Sequence, residues 1–216
     1  NIFLVADGMG GHKAGGYASS CAVETILEGV RESEGGKPEE ILTQAIQRAN
    51  EVIEKRAGED ERFSGMGTTV VAACWDGEEL IAANVGDSRA YISTKSELIR
   101  VSRDHSYVED LVQQGAISSR QARKHPDRNI ITRAVGCMEH IEVDLFVNDF
   151  GKDSVLLMCS DGLNNMVEDD YLQRIIRRNK NMEKLADRLI SVAKKNGGAD
   201  NITVIVARRS NEVSHE

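Results

Sequence analysis

Short apolar runs that stop at an aspartate flanked by small residues constrain this chain more than any other feature. Ile2-Phe3-Leu4-Val5-Ala6 leads into Asp7-Gly8, Leu80-Ile81-Ala82-Ala83-Asn84-Val85 into Gly86-Asp87-Ser88, and Val155-Leu156-Leu157-Met158-Cys159 into Ser160-Asp161-Gly162. A fourth acid, in Gly198-Ala199-Asp200-Asn201, stands just before the run Ile202-Thr203-Val204-Ile205-Val206. Apolar runs of this length beside turn residues read as strands. An aspartate at a strand end, next to a residue too small to cover it, presents its carboxylate to an open cleft. Several such carboxylates in one cleft repel one another unless divalent cations neutralise them. The pattern predicts a sheet framework whose strand ends gather an oxygen-ligated metal cluster.

The stretches between these acids fix how the strands connect. Thr68 to Trp75 and Leu80 to Val85 are separated by Asp76-Gly77-Glu78-Glu79, a hairpin signal, and Ala90-Tyr91-Ile92 with Leu98-Ile99-Arg100-Val101 reads as a second hairpin. Consecutive hairpins imply antiparallel pairing in place of strand–helix–strand crossovers. Further strands are expected at Ile141 to Val147, Val155 to Cys159 and Ile202 to Ala207. Helical periodicity marks Tyr17 to Arg31, with Ala22, Ile26 and Val30 on one stripe, and Pro38 to Arg56, with Ile41, Leu42, Ala45, Ile46, Ala49 and Ile53 on one face. A second helix pair is expected at Asp169 to Arg178 and Met182 to Asn196. Asp104 to Arg133 is polar, lacks a clear core stripe and reads as a surface flap, and Ser210 to Glu216 as a frayed tail. The predicted fold class is α+β, a four-layer α-β-β-α sandwich of two antiparallel sheets flanked by helix pairs.

A chain of 216 residues fits one domain with a sizeable core. Its net charge of −8 argues against nucleic acid as a partner, and no apolar run is long enough to span a bilayer. The four cysteines show no C-x-x-C pair and read as buried free thiols of a reducing, cytoplasmic compartment. The chain starts inside a strand, at Asn1 and without methionine. The expectation is a single catalytic domain over residues 1–216, N-terminally incomplete and lacking its first strands, with a flap at about 104–130.

Asp7, Asp161 and Asp200 are the candidate ligands of two hard cations, with magnesium or manganese favoured over zinc because only oxygen donors are near. Two such ions can hold a bridging hydroxide and neutralise a phosphoryl group during in-line attack. Taken singly, Asp7 and Asp161 also read as turn residues of Asp-Gly dipeptides, and Asp200 as a turn cap. Ser64, Ser88 and Ser160 lack a nucleophile-elbow setting, so no side-chain nucleophile stands out. Gly8-Met9-Gly10-Gly11-His12-Lys13-Ala14-Gly15-Gly16 matches neither a P-loop nor a dinucleotide fingerprint, and its glycines read as allowing close backbone approach to a metal.

Seven stretches in order resemble the type-2C, metal-dependent protein serine/threonine phosphatases in their bacterial form. They are Val5-Ala6-Asp7-Gly8-Met9-Gly10-Gly11, Gly65-Met66-Gly67-Thr68-Thr69, Asn84-Val85-Gly86-Asp87-Ser88-Arg89, Asp104-His105-Ser106, Ile131-Thr132-Arg133-Ala134-Val135-Gly136, Cys159-Ser160-Asp161-Gly162-Leu163 and Asp200-Asn201-Ile202-Thr203. The resemblance implies hydrolysis of phosphoserine and phosphothreonine in proteins by a hydroxide bridging two Mn2+ or Mg2+ ions. It implies that Asp7 bridges the metals, that the Gly8 carbonyl binds the second, that Asp161 and Asp200 hold the first, and that Asp87 with Asp161 holds a third. It places Ser106 and Arg133 at the substrate flap, makes His105 a flap-base residue, and suggests phosphoprotein partners that include a bacterial-type kinase and its substrates. A monomer is expected, because no long apolar surface stripe is left over. Met9 stands where animal members often carry a proton-donating histidine, and Gly16 where many relatives carry glutamate. The family's substrate-gripping arginine belongs to strands that precede Asn1. A catalytically impaired regulatory module of the same fold, and a two-metal hydrolase of small phosphoesters, are the competing readings.

Overall fold

The computed structural model describes residues 1–209. The expected tail at Ser210 to Glu216 lies outside the described residues. Ten strands and seven α-helices follow one another in the chain order β1 (Ile2–Val5), β2 (Gly8–Met9), α1 (His12–Glu32), α2 (Pro38–Glu59), β3 (Gly67–Thr68), β4 (Val70–Asp76), β5 (Glu79–Val85), β6 (Arg89–Ser93), β7 (Leu98–Arg100), α3 (Tyr107–Gln113), α4 (Ser119–Ala122), β8 (Asp144–Asp149), β9 (Val155–Cys159), α5 (Asp161–Asn164), α6 (Asp169–Arg178), α7 (Met182–Lys195) and β10 (Val204–Arg208). One sheet has the order β1-β4-β5-β8, the other β10-β9-β6-β7, and every pairing within them is antiparallel.

Alternation along the central strands builds three apolar layers. On β4, Val70, Ala72 and Cys74 face α1 and α2, meeting Ala18, Ala22, Ile26, Leu42, Ile46 and Ile53. The intervening Val71 and Ala73 face the second sheet and meet Ala90, Ile92, Leu156 and Met158. On β9 the remaining Val155, Leu157 and Cys159 point to α6 and α7, against Leu172, Ile176, Leu185 and Leu189. The two sheets lie face to face between two helical layers, as the sequence pattern predicted. Because β4, β5 and β9 are covered on both faces, their sequences are continuous apolar runs and show no polar alternation.

The differences from the sequence reading are local. The first helix begins at His12, not Tyr17, taking Gly15 and Gly16 into its first turns. Helix propensity disfavours two glycines there, but close packing of Gly15 on Gly8 overrides it. The strand expected from Ile141 begins at Asp144, and the last strand at Val204 in place of Ile202. Two features give no apolar signal and were not anticipated: the two-residue ladder of β2 with β3, and the single turn of α5 that follows Asp161.

Candidate active site

The acid-bearing ends of β1, β5 and β9, and the loop before β10, meet at one edge of the sandwich. Asp7 is held there through its backbone. Its amide donates to Thr69 Oγ1 at 3.1 Å, and its carbonyl accepts from the Thr69 amide at 2.8 Å and from Thr68 Oγ1 at 3.0 Å. Thr69 Oγ1 is in turn 2.8 Å from Ser88 Oγ, beside Asp87. Next to Asp7, Gly8 packs so closely on α1 that a Cβ on Gly8 would lie 1.9 Å from the Gly15 carbonyl oxygen. Only glycine fits at this contact, and it brings the Gly8 backbone against the first turn of α1.

Asp161 opens α5 and accepts the Asn165 side-chain amide at 3.0 Å on Oδ2. Its other oxygen, Oδ1, is buried with no hydrogen-bond partner. The loop carrying Asp200 is tied to the same strand end. Ser160 Oγ donates to the Asn201 carbonyl at 3.2 Å and accepts the Thr203 amide at 3.1 Å. Gly162 packs against this loop, since a Cβ there would lie 2.1 Å from the Asn201 carbonyl oxygen.

The charges of the site sit close enough to perturb one another. Burial, then the carboxylates of Asp161 and Asp200, raise Asp7 to about 6. Burial and Asp200 raise Asp161. Burial, then Asp161, Asp104 and Asp7, raise Asp87 to about 7. A cation beside Asp7 and Asp161 would offset the repulsion between their carboxylates. Asp7, Asp87 and Asp161, each raised by burial and by acidic neighbours, with one buried oxygen unpaired, fit a hard divalent ion. Among the described residues no three His, Cys, Asp or Glu side chains yet converge as a closed ligand set. Asp200 is exposed and accepts the Asn201 amide on Oδ1 at 2.8 Å. A cavity of about 550 Å³ opens in front of this group, lined by Asp7, Gly8, Gly11, Gly16, Ser19 and Asp200.

Asp87 faces a second cavity of about 380 Å³, roofed by the flap helices α3 and α4 and floored by Asn164 and Asn165. Ser106 lines it and caps α3, accepting the Glu109 amide at 3.3 Å. Arg133 is committed elsewhere: it donates to Asp144 Oδ1 at 2.7 Å and to the Glu142 carbonyl at 3.1 Å. His105 is buried at the base of the flap. Its Nδ1 accepts the Gly86 amide at 3.0 Å, so its proton sits on Nε2, 3.2 Å from Asp144 Oδ2. Burial lowers its pKa, and it has no free nitrogen for a leaving group.

Thr69, Ser88, Asn165 and Ser160, which hold the acids in place, were not singled out from the sequence as functional. Their only sequence signal is position, one to four residues from an acid or within a neighbouring motif. Beneath Asp87, Arg89 and Asp104 form a buried, bidentate ion pair.

Comparison with known proteins places this arrangement. The family described as protein phosphatase 2C matches residues 1–205. The chain belongs to that family. A Listeria welshimeri protein named serine/threonine phosphatase stp is 41% identical over 213 residues, which are 97% of this chain and 84% of the relative. The crystal structure of the serine/threonine phosphatase Stp1 from Staphylococcus aureus superimposes with a TM-score of 0.91 at 34% identity, covering 97% of this chain and 84% of that one. A structure of the PstP catalytic domain in complex with two manganese ions gives a TM-score of 0.86 at 31% identity, covering 96% and 86%. This phosphatase 2C chain is a metal-dependent protein serine/threonine phosphatase. No helix among its described residues is long and apolar enough to cross a membrane.

Proposed function

We propose that residues 1–216 act as one catalytic domain, with the flap at about 104–130, and that Asp7, Asp161 and Asp200 bind two divalent cations for the hydrolysis of phosphoserine and phosphothreonine. Asp7 would serve both ions, the Gly8 carbonyl the second, Asp161 and Asp200 the first, and Asp87 with Asp161 a third. The single observation that carries this reading is the buried, unpartnered Asp161 Oδ1 beside an Asp7 carboxyl raised by burial and by its acidic neighbours. When bound, divalent cations neutralise phosphoryl charge and lower the pKa of water. The chain's own residues fix geometry. Thr69 sets the direction of Asp7, Asn165 orients Asp161, and Ser160 holds the Asp200 loop within reach. Met9 is exposed and carries no titratable proton, so it does not protonate the leaving group.

Manganese is supported by the two ions named for the PstP domain, and magnesium by the all-oxygen donor set. The partners are phosphoproteins made by a bacterial-type serine/threonine kinase, in cytoplasmic signal transduction, with the phosphatase a monomer. The bacterial relatives support this, as do four cysteines left unpaired. The test is release of phosphate from a phosphothreonine peptide. Turnover is expected with Mn2+, at a lower level with Mg2+, and to vanish in EDTA or in Asp161→Asn. Full turnover in EDTA would refute the metal reading. A protein that binds no manganese in a calorimetric titration is instead the impaired, partner-binding module.

A further inference from the structure

The C-terminal half of the flap and the residues just after it carry a charge opposite to that of the chain as a whole. Residues 118–133 contain Arg120, Arg123, Lys124, Arg128 and Arg133 against the single acid Asp127, in a protein of net charge −8. Arg133 is bound to Asp144 and Glu142. None of the other four makes an ion pair among the described residues, and Asp127 lies 3.9 Å from His125 Nδ1. Four cations without ion-pair partners, close together in sequence, can attract an external anion.

Two of these cations line the cavity that ends at Asp87. Arg123 reaches from α4 to α5, where its Nη2 donates to the Asn164 carbonyl at 3.0 Å, three residues from Asp161. That bond uses one of the five guanidinium N–H donors and leaves a planar fork at the cavity wall. Arg128 is exposed on the same wall. The other arginines of this cavity are neutralised, Arg89 by Asp104 and Arg100 by Glu109 at 2.9 Å. The unpaired cations Arg123 and Arg128 face this cavity from the flap, Asp87 and Asp169 line it as well, and Asp7 and Asp200 line the neighbouring cavity.

We propose that Arg123 and Arg128 form a specificity subsite for an anionic group on a residue neighbouring the phosphoresidue of the substrate, either a carboxylate or a second phosphate. The proposal rests on the reading of the Asp7–Asp161–Asp200 cleft as the hydrolytic site. It runs against the protein's bulk charge, which repels acidic peptides, so an acidic preference can come only from a local positive site. Bidentate arginine contacts suit both anions, and the phosphate, with the greater charge, is held more tightly.

The experiment compares kcat/KM on phosphothreonine peptides that are identical except for flanking glutamine, flanking glutamate, or a second phosphothreonine. Each rate is normalised to p-nitrophenyl phosphate turnover by the same enzyme, and that turnover separately reports whether the hydrolytic site works. The wild type is expected to prefer the glutamate peptide over the glutamine peptide by about fivefold, carried by KM, as two partly exposed ion pairs allow. The preference should shrink with added salt. In Arg128→Glu the ratio should fall to one or below, and in Arg123→Gln toward one, while Arg128→Lys retains it in part. A gain with the second phosphate but none with glutamate assigns the subsite to phosphate. Equal rates on all three peptides by a wild-type enzyme that turns over p-nitrophenyl phosphate would overturn the proposal. So would an acidic preference that survives in the Arg123→Gln/Arg128→Glu double variant. Far-ultraviolet circular dichroism of each variant separates loss of selectivity from loss of fold.

Discussion

Thr69 grips Asp7 from both sides of its peptide unit, donating to its carbonyl at 2.8 Å and accepting its amide at 3.1 Å on Oγ1. The two residues are 62 positions apart, so the direction of the first site acid is set by the junction between β3 and β4. Thr69→Val keeps the shape but removes the acceptor, leaving the Asp7 amide and the Ser88 hydroxyl short of a partner. The expected cost is about 1–3 kcal/mol in urea denaturation. Manganese affinity should fall along with it, and Thr69→Ser should restore most of both. Unchanged affinity in Thr69→Val would show that this bond does not position Asp7.

The contact between Gly8 and Gly15 gives a prediction with an internal control. A Cβ on Gly15 would lie 2.7 Å from the Gly8 carbonyl oxygen, whereas one on Gly16 meets nothing within 4 Å. Gly15→Ala must push the Gly8 carbonyl aside, and a large loss of metal affinity with a native circular dichroism spectrum is expected. Gly16→Ala, in a helix, should leave the protein as stable or up to about 1 kcal/mol more stable. Equal metal titrations for the two variants would remove Gly8 from the metal site.

The sandwich was legible because both faces of β4, β5 and β9 are buried, which gives continuous apolar runs, and because α1, α2, α6 and α7 each carry one apolar stripe. The acids were legible because each lies at the end of such a run. What holds them was not. Ser160, Thr69 and Asn165 are ordinary polar residues whose partners, save for Asn165, are distant in sequence, so no local period marks them. The start of α1 was misjudged for a related reason: Gly15 obeys a tertiary contact with Gly8 that outweighs its helix propensity.

Arg89 and Asp104 form the buried ion pair beneath Asp87, with side chains 13% and 8% exposed. Arg89→Met should destabilise the fold by about 3–5 kcal/mol, because it strands the Asp104 carboxylate without a countercharge. Adding Asp104→Leu should recover a large part of that loss. Guanidinium unfolding of the wild type and the two variants checks this, and a double variant no more stable than Arg89→Met would mean that the pair acts through geometry and not through charge.

Removal of metal should reverse the usual pH trend of stability. With EDTA present, Asp7 near 6 and Asp87 near 7 retain protons that the unfolded chain releases around 3.8. The folded state then binds more protons than the unfolded one between about pH 4 and pH 7, so these two acids favour folding at low pH and lose that contribution as pH rises through the window. His105 works the other way, since its lowered pKa contributes stability above the ordinary histidine value that is lost as pH falls. Two raised carboxylates stand against one lowered imidazole, and the melting temperature in EDTA is expected to drop between pH 5 and pH 7.5. Manganese needs the same carboxylates ionised, so its stabilising effect should grow over that interval. The double variant Asp7→Asn/Asp87→Asn should flatten the EDTA profile and abolish the manganese increment. A wild-type melting temperature that climbs with pH in EDTA would mean that the acids do not share a desolvated site.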